Sequence, residues 1–336
     1  MSYNFTTPAR VIRVSSLLAA AFLALGAVSL GVGAARIDII GLLGNLSSGL
    51  SLSETDRAIL FSIRLPRIIF AGIVGASLAV AGVVFQALLR NPLADPYILG
   101  ISGGSALGGI IGIILGPLIG SWGIPGLSFL GAILTIFLVF GIAGKSKDPG
   151  SNTLLLAGVI VNAFFSALIM FLVSTSSGNN LQSIMFWMMG DLSTAREEQL
   201  WVSGAILACG FALVYYFSKS LNLIVTGEET ARHLGVPVEK TKNLLLAAAS
   251  LITAAAVSVS GIIGFVGLII PHMMRMVFGS DHRLLLPASC FFGASFMLIA
   301  DTVARTAMAP AELPVGVITA LCGAPYFIYL LRRRSF

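Results

Sequence analysis

The stretch NLLLAAASLITAAAVSVSGIIGFVGLIIPHMMRMVF, Asn243–Phe278, runs for 36 residues with one charged side chain, Arg275. A single membrane crossing needs about 20 apolar residues, and tilt does not absorb so large an excess. Gly261, Gly264 and Gly267 interrupt the run and Pro271 follows. These are the residues at which a helix breaks in protein-lined parts of a membrane. The stretch is therefore predicted to be two helices, split near 261–264, the second of them short.

The rest of the chain has the same character. Runs at 14–35, 66–88, 97–119, 125–143, 153–174, 199–217, 284–304 and 313–331 are each apolar enough for one crossing or nearly so. With the split, about ten spans are expected. Across 336 residues, apolar side chains make up 57% and charged ones 10%, with a mean hydropathy of +0.98. Soluble domains carry about 25% charged residues. A water-exposed globular enzyme and a disordered chain are both excluded. The runs do not alternate, so an outer-membrane barrel is excluded too. The fold class is all-α and polytopic, one transmembrane domain over 1–336.

The net charge of +6 reflects topology rather than nucleic-acid binding. With the N-terminus inside, 14 Lys and Arg fall on the cytoplasmic side and 6 outside. That agrees with the positive-inside rule and places both termini in the cytoplasm. The first apolar segment has no clear small-x-small cleavage site and is expected to be a retained helix. Cys209, Cys290 and Cys322 lie singly in apolar runs and are expected to be buried thiols, neither paired nor metal-bound.

Chemistry-bearing motifs are sparse. The cluster GISGGSALGG, Gly100–Gly109, lacks the Gly-Lys-Ser/Thr ending of a phosphate loop. Its spacing puts Gly100, Gly104 and Gly108 on one face, suited to close helix packing in lipid or to lining a path. His233, His272 and His282 form no metal or catalytic set, and no cofactor is expected. His272 and Arg275 read as interfacial anchors or loop ligands of backbone carbonyls rather than a metal site. Asp301 is the deepest acid, with an i,i+4 partner in Arg305. Without several mid-span acids or an evident inverted repeat, an ion-coupled secondary transporter of a small metabolite is the weaker alternative.

Two polar segments stand out. In TGEETARHLGVP, Thr226–Pro237, Thr226 and Glu229 have capping-box spacing, Gly235 suits a left-handed helix end and Pro237 opens the next helix. A two-turn helix at about 227–234 is expected on the cytoplasmic side. It is either a plain connector or a grip for a soluble partner. In RLPR, Arg64–Arg67, two arginines sit at the outer mouth of a span against the charge trend. They either snorkel to lipid phosphate or dock an acidic partner, with Arg305 on the same side.

At these segments the chain resembles the permease subunits of ABC importers for iron chelates (siderophores, haem) and cobalamin. The resemblance covers about 55–333. It is carried by RLPR (Arg64–Arg67), NPLADP (Asn91–Pro96), GISGG (Gly100–Gly104), LLLAG (Leu154–Gly158), FWMMG (Phe186–Gly190) and GEETARHLG (Gly227–Gly235). It continues through GFVGLIIPHMMR (Gly264–Arg275), DHRLLLP (Asp281–Pro287), ADTVAR (Ala300–Arg305) and ELPVG (Glu312–Gly316). The resemblance implies a transport subunit of the bacterial inner membrane that is not itself an enzyme. It implies a dimer, most simply a homodimer, joined by two cytoplasmic ATPase subunits and an extracytoplasmic binding protein.

It also implies roles for residues. Gly227, Glu228, Glu229, Ala231, Arg232, Leu234 and Gly235 would form the segment seated in the ATPase. Arg64, Arg67 and Arg305 would meet acidic residues of the binding protein. Asn91 and Leu93 would form one gate of the path, and Ser151 and Asn152 a second. Siderophore, haem and cobalamin stay open as cargo, with a ferric chelate favoured by the family's numbers.

Overall fold

A computed structural model describes residues 6–33, 53–120, 122–143, 151–176, 178–193 and 196–333. Among them every regular element is a helix. In chain order these are α1 (Pro8–Gly31), α2 (Glu54–Leu88), α3 (Ile101–Ile119), α4 (Gly123–Ala143) and α5 (Ser151–Thr175). Then follow α6 (Asn179–Met188), α7 (Glu197–Tyr216), α8 (Ser218–Thr226), α9 (Glu228–His233) and α10 (Val238–Ser260). The chain closes with α11 (Val266–Phe278), α12 (His282–Ala304) and α13 (Val315–Arg333). A single 3-10 turn, Pro96–Leu99, leads into α3. Among the described residues seven helices are long and apolar enough to cross a membrane, and three shorter apolar ones lie at Ile101–Gly116, Val266–Phe278 and Val315–Leu330.

The central helix is α2. Over 68–85 it is apolar on all sides, and Phe70, Val74, Leu78, Val83 and Phe85 are wholly buried on it, as expected of a helical stretch with no polar face. Helices α7, α10, α11 and α12 surround it, and α1 lies outside α12. It begins at Glu54 rather than at 66, because a π-helical turn, Ala58–Arg64, joins its two halves. Pro66 follows that turn and has no N–H for a regular ladder. The wide turn, in which Leu65 N–H donates to Leu60 O, carries the helix past it.

Small residues bring the helices together. A Cβ on Gly82 would collide with the backbone of Gly267, so α2 touches α11 backbone to backbone. The glycine face of α3 also serves packing, since side chains on Gly104 or Gly108 would strike the α4 backbone at Gly131 or Leu127. Gly100 does not share that face. It precedes α3 in a left-handed conformation, φ 75°.

The long apolar run breaks where expected, between Ser260 and Val266. Its exposed backbone groups are all the more costly in lipid, and side chains and loops take several of them up. Tyr97 Oη donates to Ile263 O at 2.7 Å and accepts from Ile263 N at 3.0 Å. Gln86 Nε2 donates to Leu268 O at 3.0 Å, and Arg275 fixes Gln86 through its Oε1 at 3.0 Å. Asp191 N–H caps Ser260 O at 2.8 Å. Arg275 is thus an internal strut rather than an interfacial anchor, and His272 is buried.

The cysteines correct a further expectation. Cys209 and Cys322 are exposed on the chain and Cys290 is half-buried. Cys209 and Cys322 lie on outward faces of apolar helices, whereas Cys290 packs against the core.

Candidate functional site

Functional side chains gather at two opposite poles of the bundle. The first holds α9. Helix α8 runs to Thr226, and the Thr226 hydroxyl turns back to donate to Leu223 O at 2.8 Å. The expected Thr226–Glu229 capping box therefore does not form, and Gly227 opens α9 instead. The far end is as expected. Gly235 has φ 85°, its N–H bonds Arg232 O at 3.0 Å, and Val236 N–H bonds Ala231 O at 2.9 Å. This double closure is a Schellman motif. Ala231 is fully buried and Val236 packs on the core, which seats α9 on the bundle. Glu229, Arg232, His233, Leu234 and Gly235 are left exposed.

Polar ties hold α9 and its neighbours. Lys242 Nζ on α10 meets Glu228 Oε1 at 3.0 Å, and Arg232 pairs with Glu239 at 3.0 Å. Burial raises the Glu228 carboxyl, but the bond and charge of Lys242, then Arg90 and Arg232, outweigh it. The group lies below the ordinary carboxylate range. Asn222 on α8 donates to Asp281 at 2.8 Å and accepts from His282 N at 2.9 Å, which ties α8 to the start of α12. Burial would raise Asp281, yet the bonds from Arg283, then Asn222, hold it well below the ordinary range.

Asn91 and Leu93 lie at this same pole, in the turn that leaves α2. Asn91 Oδ1 accepts from Leu93 N at 2.9 Å, and the Leu93 side chain is exposed. Ser151 and Asn152 form the first turn of α5, and their side chains lie outside the described residues.

The second pole gathers the arginines. Arg67 Nε reaches both oxygens of Asp301, at 3.0 and 3.1 Å, and its NH1 pairs with Glu312 at 2.8 Å. Arg305 NH2 donates to Ser29 O at 2.8 Å, while its Nε stands 3.9 Å from Asp301. Arg64 NH1 donates to Leu30 O at 2.6 Å. The main partner of Asp301 is thus Arg67 and not the i,i+4 neighbour. The three arginines do come together, but Arg64 and Arg305 are 4% and 5% exposed. They grip the end of α1 rather than stand open. Nearby, a cavity of about 520 Å³ borders the helix break, with Gln182, Ser183, Asp191, Arg196, Gln199 and Ser258 as its polar lining.

A bundle of apolar helices, one run of them broken, with a short helix at one pole, is the architecture of a polytopic membrane protein. Residues 20–333 match the FecCD transport family, and the chain belongs to that family. It is a multi-pass protein of the inner membrane. The chain is 47% identical over 282 residues to the cobalamin import system permease BtuC of Halobacterium salinarum, covering 84% of this chain and 75% of the relative. It is 38% identical over 328 residues to the hemin transport system permease HmuU of Yersinia pestis, covering 96% and 97%. A solved metal-chelate type ABC transporter in an inward-facing conformation superposes with a TM-score of 0.85 at 35% identity, covering 97% of this chain and all of that one.

Proposed function

We propose that the chain is the membrane-spanning subunit of a binding-protein-dependent ABC importer that carries cobalamin or an iron chelate such as haem. Ten crossings with both termini in the cytoplasm put α9 on the cytoplasmic side. Two copies of the chain would enclose the path, flanked by two ATPase subunits. The observation that carries this reading is α9 itself. It is a six-residue helix, closed by Gly235 and seated by Ala231, with Glu229 and Leu234 exposed. Such a helix presents a rigid face to a soluble partner and transmits its displacement to α8 and α10. Nucleotide binding that favours one state of the partner would then switch the path between outward- and inward-open. Asn91 and Leu93 would close the cytoplasmic end of the path, with Ser151 and Asn152 beside them. The arginine pole would receive the binding protein.

Reconstitution tests the reading. Vesicles holding the chain with its ATPase and binding protein should accumulate cyanocobalamin, haem or a ferric siderophore only with ATP. Vesicles holding the chain alone should accumulate none of them. Uphill uptake by the lone chain under a sodium or pH gradient would overturn the proposal in favour of ion coupling.

A further inference from the structure

Glu228 opens α9, yet unlike Glu229 it does not face outward. Its carboxylate is bound by Lys242 at 3.0 Å and lies 3.7 Å from Arg90 NH2. The same Arg90 NH2 donates to Ile224 O at 3.1 Å, in the last turn of α8. Arg90 itself stands where the chain leaves the central helix. It holds a left-handed backbone, φ 49°, and Asn91 follows directly. A left-handed conformation is unfavourable for a side-chain-bearing residue, so its surroundings must hold it there. Its N–H bonds Ala87 O at 3.3 Å, and its guanidinium spans α8 and α9.

We propose that Arg90 is a positioning residue that carries the displacement of α9 to the Asn91–Leu93 turn, with Glu228 as its anchor on α9 and Lys242 as the brace to α10. The inference rests on the coupling and gating reading above. Its content is geometric. A half-exposed ion pair at this distance adds little stability. One guanidinium nitrogen, NH2, lies within reach of both groups, and its two hydrogens can serve a carbonyl and a carboxylate at once. When α9 moves, the carbonyl of Ile224 and the carboxylate of Glu228 move with it. Arg90 is the one described side chain that contacts both and is joined by a single peptide bond to Asn91. The turn therefore follows α9 without waiting for the long helices to repack.

The test uses the full complex with ATPase and binding protein, carrying Leu93→Cys and no other cysteine in the chain. Thiol labelling of Leu93→Cys is compared with and without ATP, alongside uptake per ATP hydrolysed. Arg90→Met and, separately, Glu228→Gln are expected to abolish the ATP-dependent change in labelling and to lower uptake per ATP by about tenfold, within the range one residue on a coupling route commands. Melting temperature should be unchanged in both variants, and ATPase co-purification unchanged in Arg90→Met. Arg90→Lys should restore the response only in part. Glu229→Lys with Leu234→Asp serves as the control on the parent reading. If that double variant blocks uptake while Arg90→Met and Glu228→Gln keep the labelling response, the strut is refuted and coupling through α9 stands. If all of these variants transport normally, coupling through α9 fails first. Glu228→Gln changes one oxygen, so the question stays decidable even if Arg90→Met does not assemble.

Discussion

Arg67 and Asp301 stand 234 residues apart in sequence and form a buried pair, with Arg67 Nε and NH2 at 3.0 and 2.9 Å from Asp301 Oδ1. The Asp301 side chain is fully enclosed, with Arg67 bound to it and Arg305 3.9 Å away. Removing it leaves buried positive charge uncompensated, which costs more than the pair itself contributes. Asp301→Ala is expected to destabilise the chain by about 3–5 kcal/mol, read as a fall in melting temperature in detergent. Arg67→Met combined with Asp301→Leu should cost clearly less than the sum of the two single changes, because neither charge is then left alone. Additive losses would show that the two residues do not act as a pair.

The same pole bears on docking. Arg67 already shares its guanidinium between Asp301 and Glu312, and Glu312 is 45% exposed. A carboxylate from a binding protein would compete with Glu312 for Arg67 NH1. Glu312→Gln is therefore expected to tighten binding of the partner by up to about fivefold, the scale of one surface pair, with the gain fading as salt screens it. Arg67→Glu should weaken binding. Arg305→Glu and Arg64→Glu should instead lower the melting temperature, since both side chains are buried on the α1 carbonyls. Surface plasmon resonance on the reconstituted chain reads the first two effects. An affinity indifferent to both would remove the docking role of Arg67.

At the opposite pole, Glu229→Lys together with Leu234→Asp alters only exposed side chains of α9 and its cap. The bundle should still fold, because Leu234 closes α9 through its backbone and both side chains are exposed, and exposed substitutions of this kind change stability little. Uptake should be lost, and the ATPase should no longer co-purify or should hydrolyse ATP without transport. Normal uptake in a well-folded double variant would contradict a coupling role for α9.

How much of this was legible beforehand depends on the range of the interaction. The helix break at Gly261 and the closure of α9 at Gly235 are local and written in glycines, so both were readable. The start of α9 was misread because Thr226 had two local choices, capping forward to Glu229 or donating back to Leu223 O, and α8 took the second. Cys209 and Cys322 lie in apolar helices as expected but on exposed faces rather than buried ones. A helix apolar on every side does not reveal which flank meets lipid. Asp301 offered Arg305 one turn away, and nothing in the local pattern could point to Arg67. The link from Arg90 to Ile224 and Glu228 was hidden for the same reason, since it spans the whole distance between α2 and α9.

Asp95 sets a pH dependence whose sign can be worked out. It precedes the 3-10 turn, and its Oδ1 accepts from Tyr97 N at 2.9 Å. Burial pushes its carboxyl up to about 6 from an ordinary 3.8, and the Tyr97 bond only partly opposes this. The folded chain therefore holds this proton more tightly than the unfolded one. Below the ordinary value the group is neutral in both states and exacts no penalty. As pH rises from there to about 6, the unfolded state ionises first and stability falls. Above about 6 the penalty is complete. Asp95→Asn keeps an oxygen for Tyr97 N and removes the charge, so it should raise the melting temperature at about pH 8, and the gain should shrink toward zero as pH falls through the folded value. Melting curves in detergent across that range decide it. A gain independent of pH, or a loss at every pH, would mean that Asp95 is not held protonated by its surroundings.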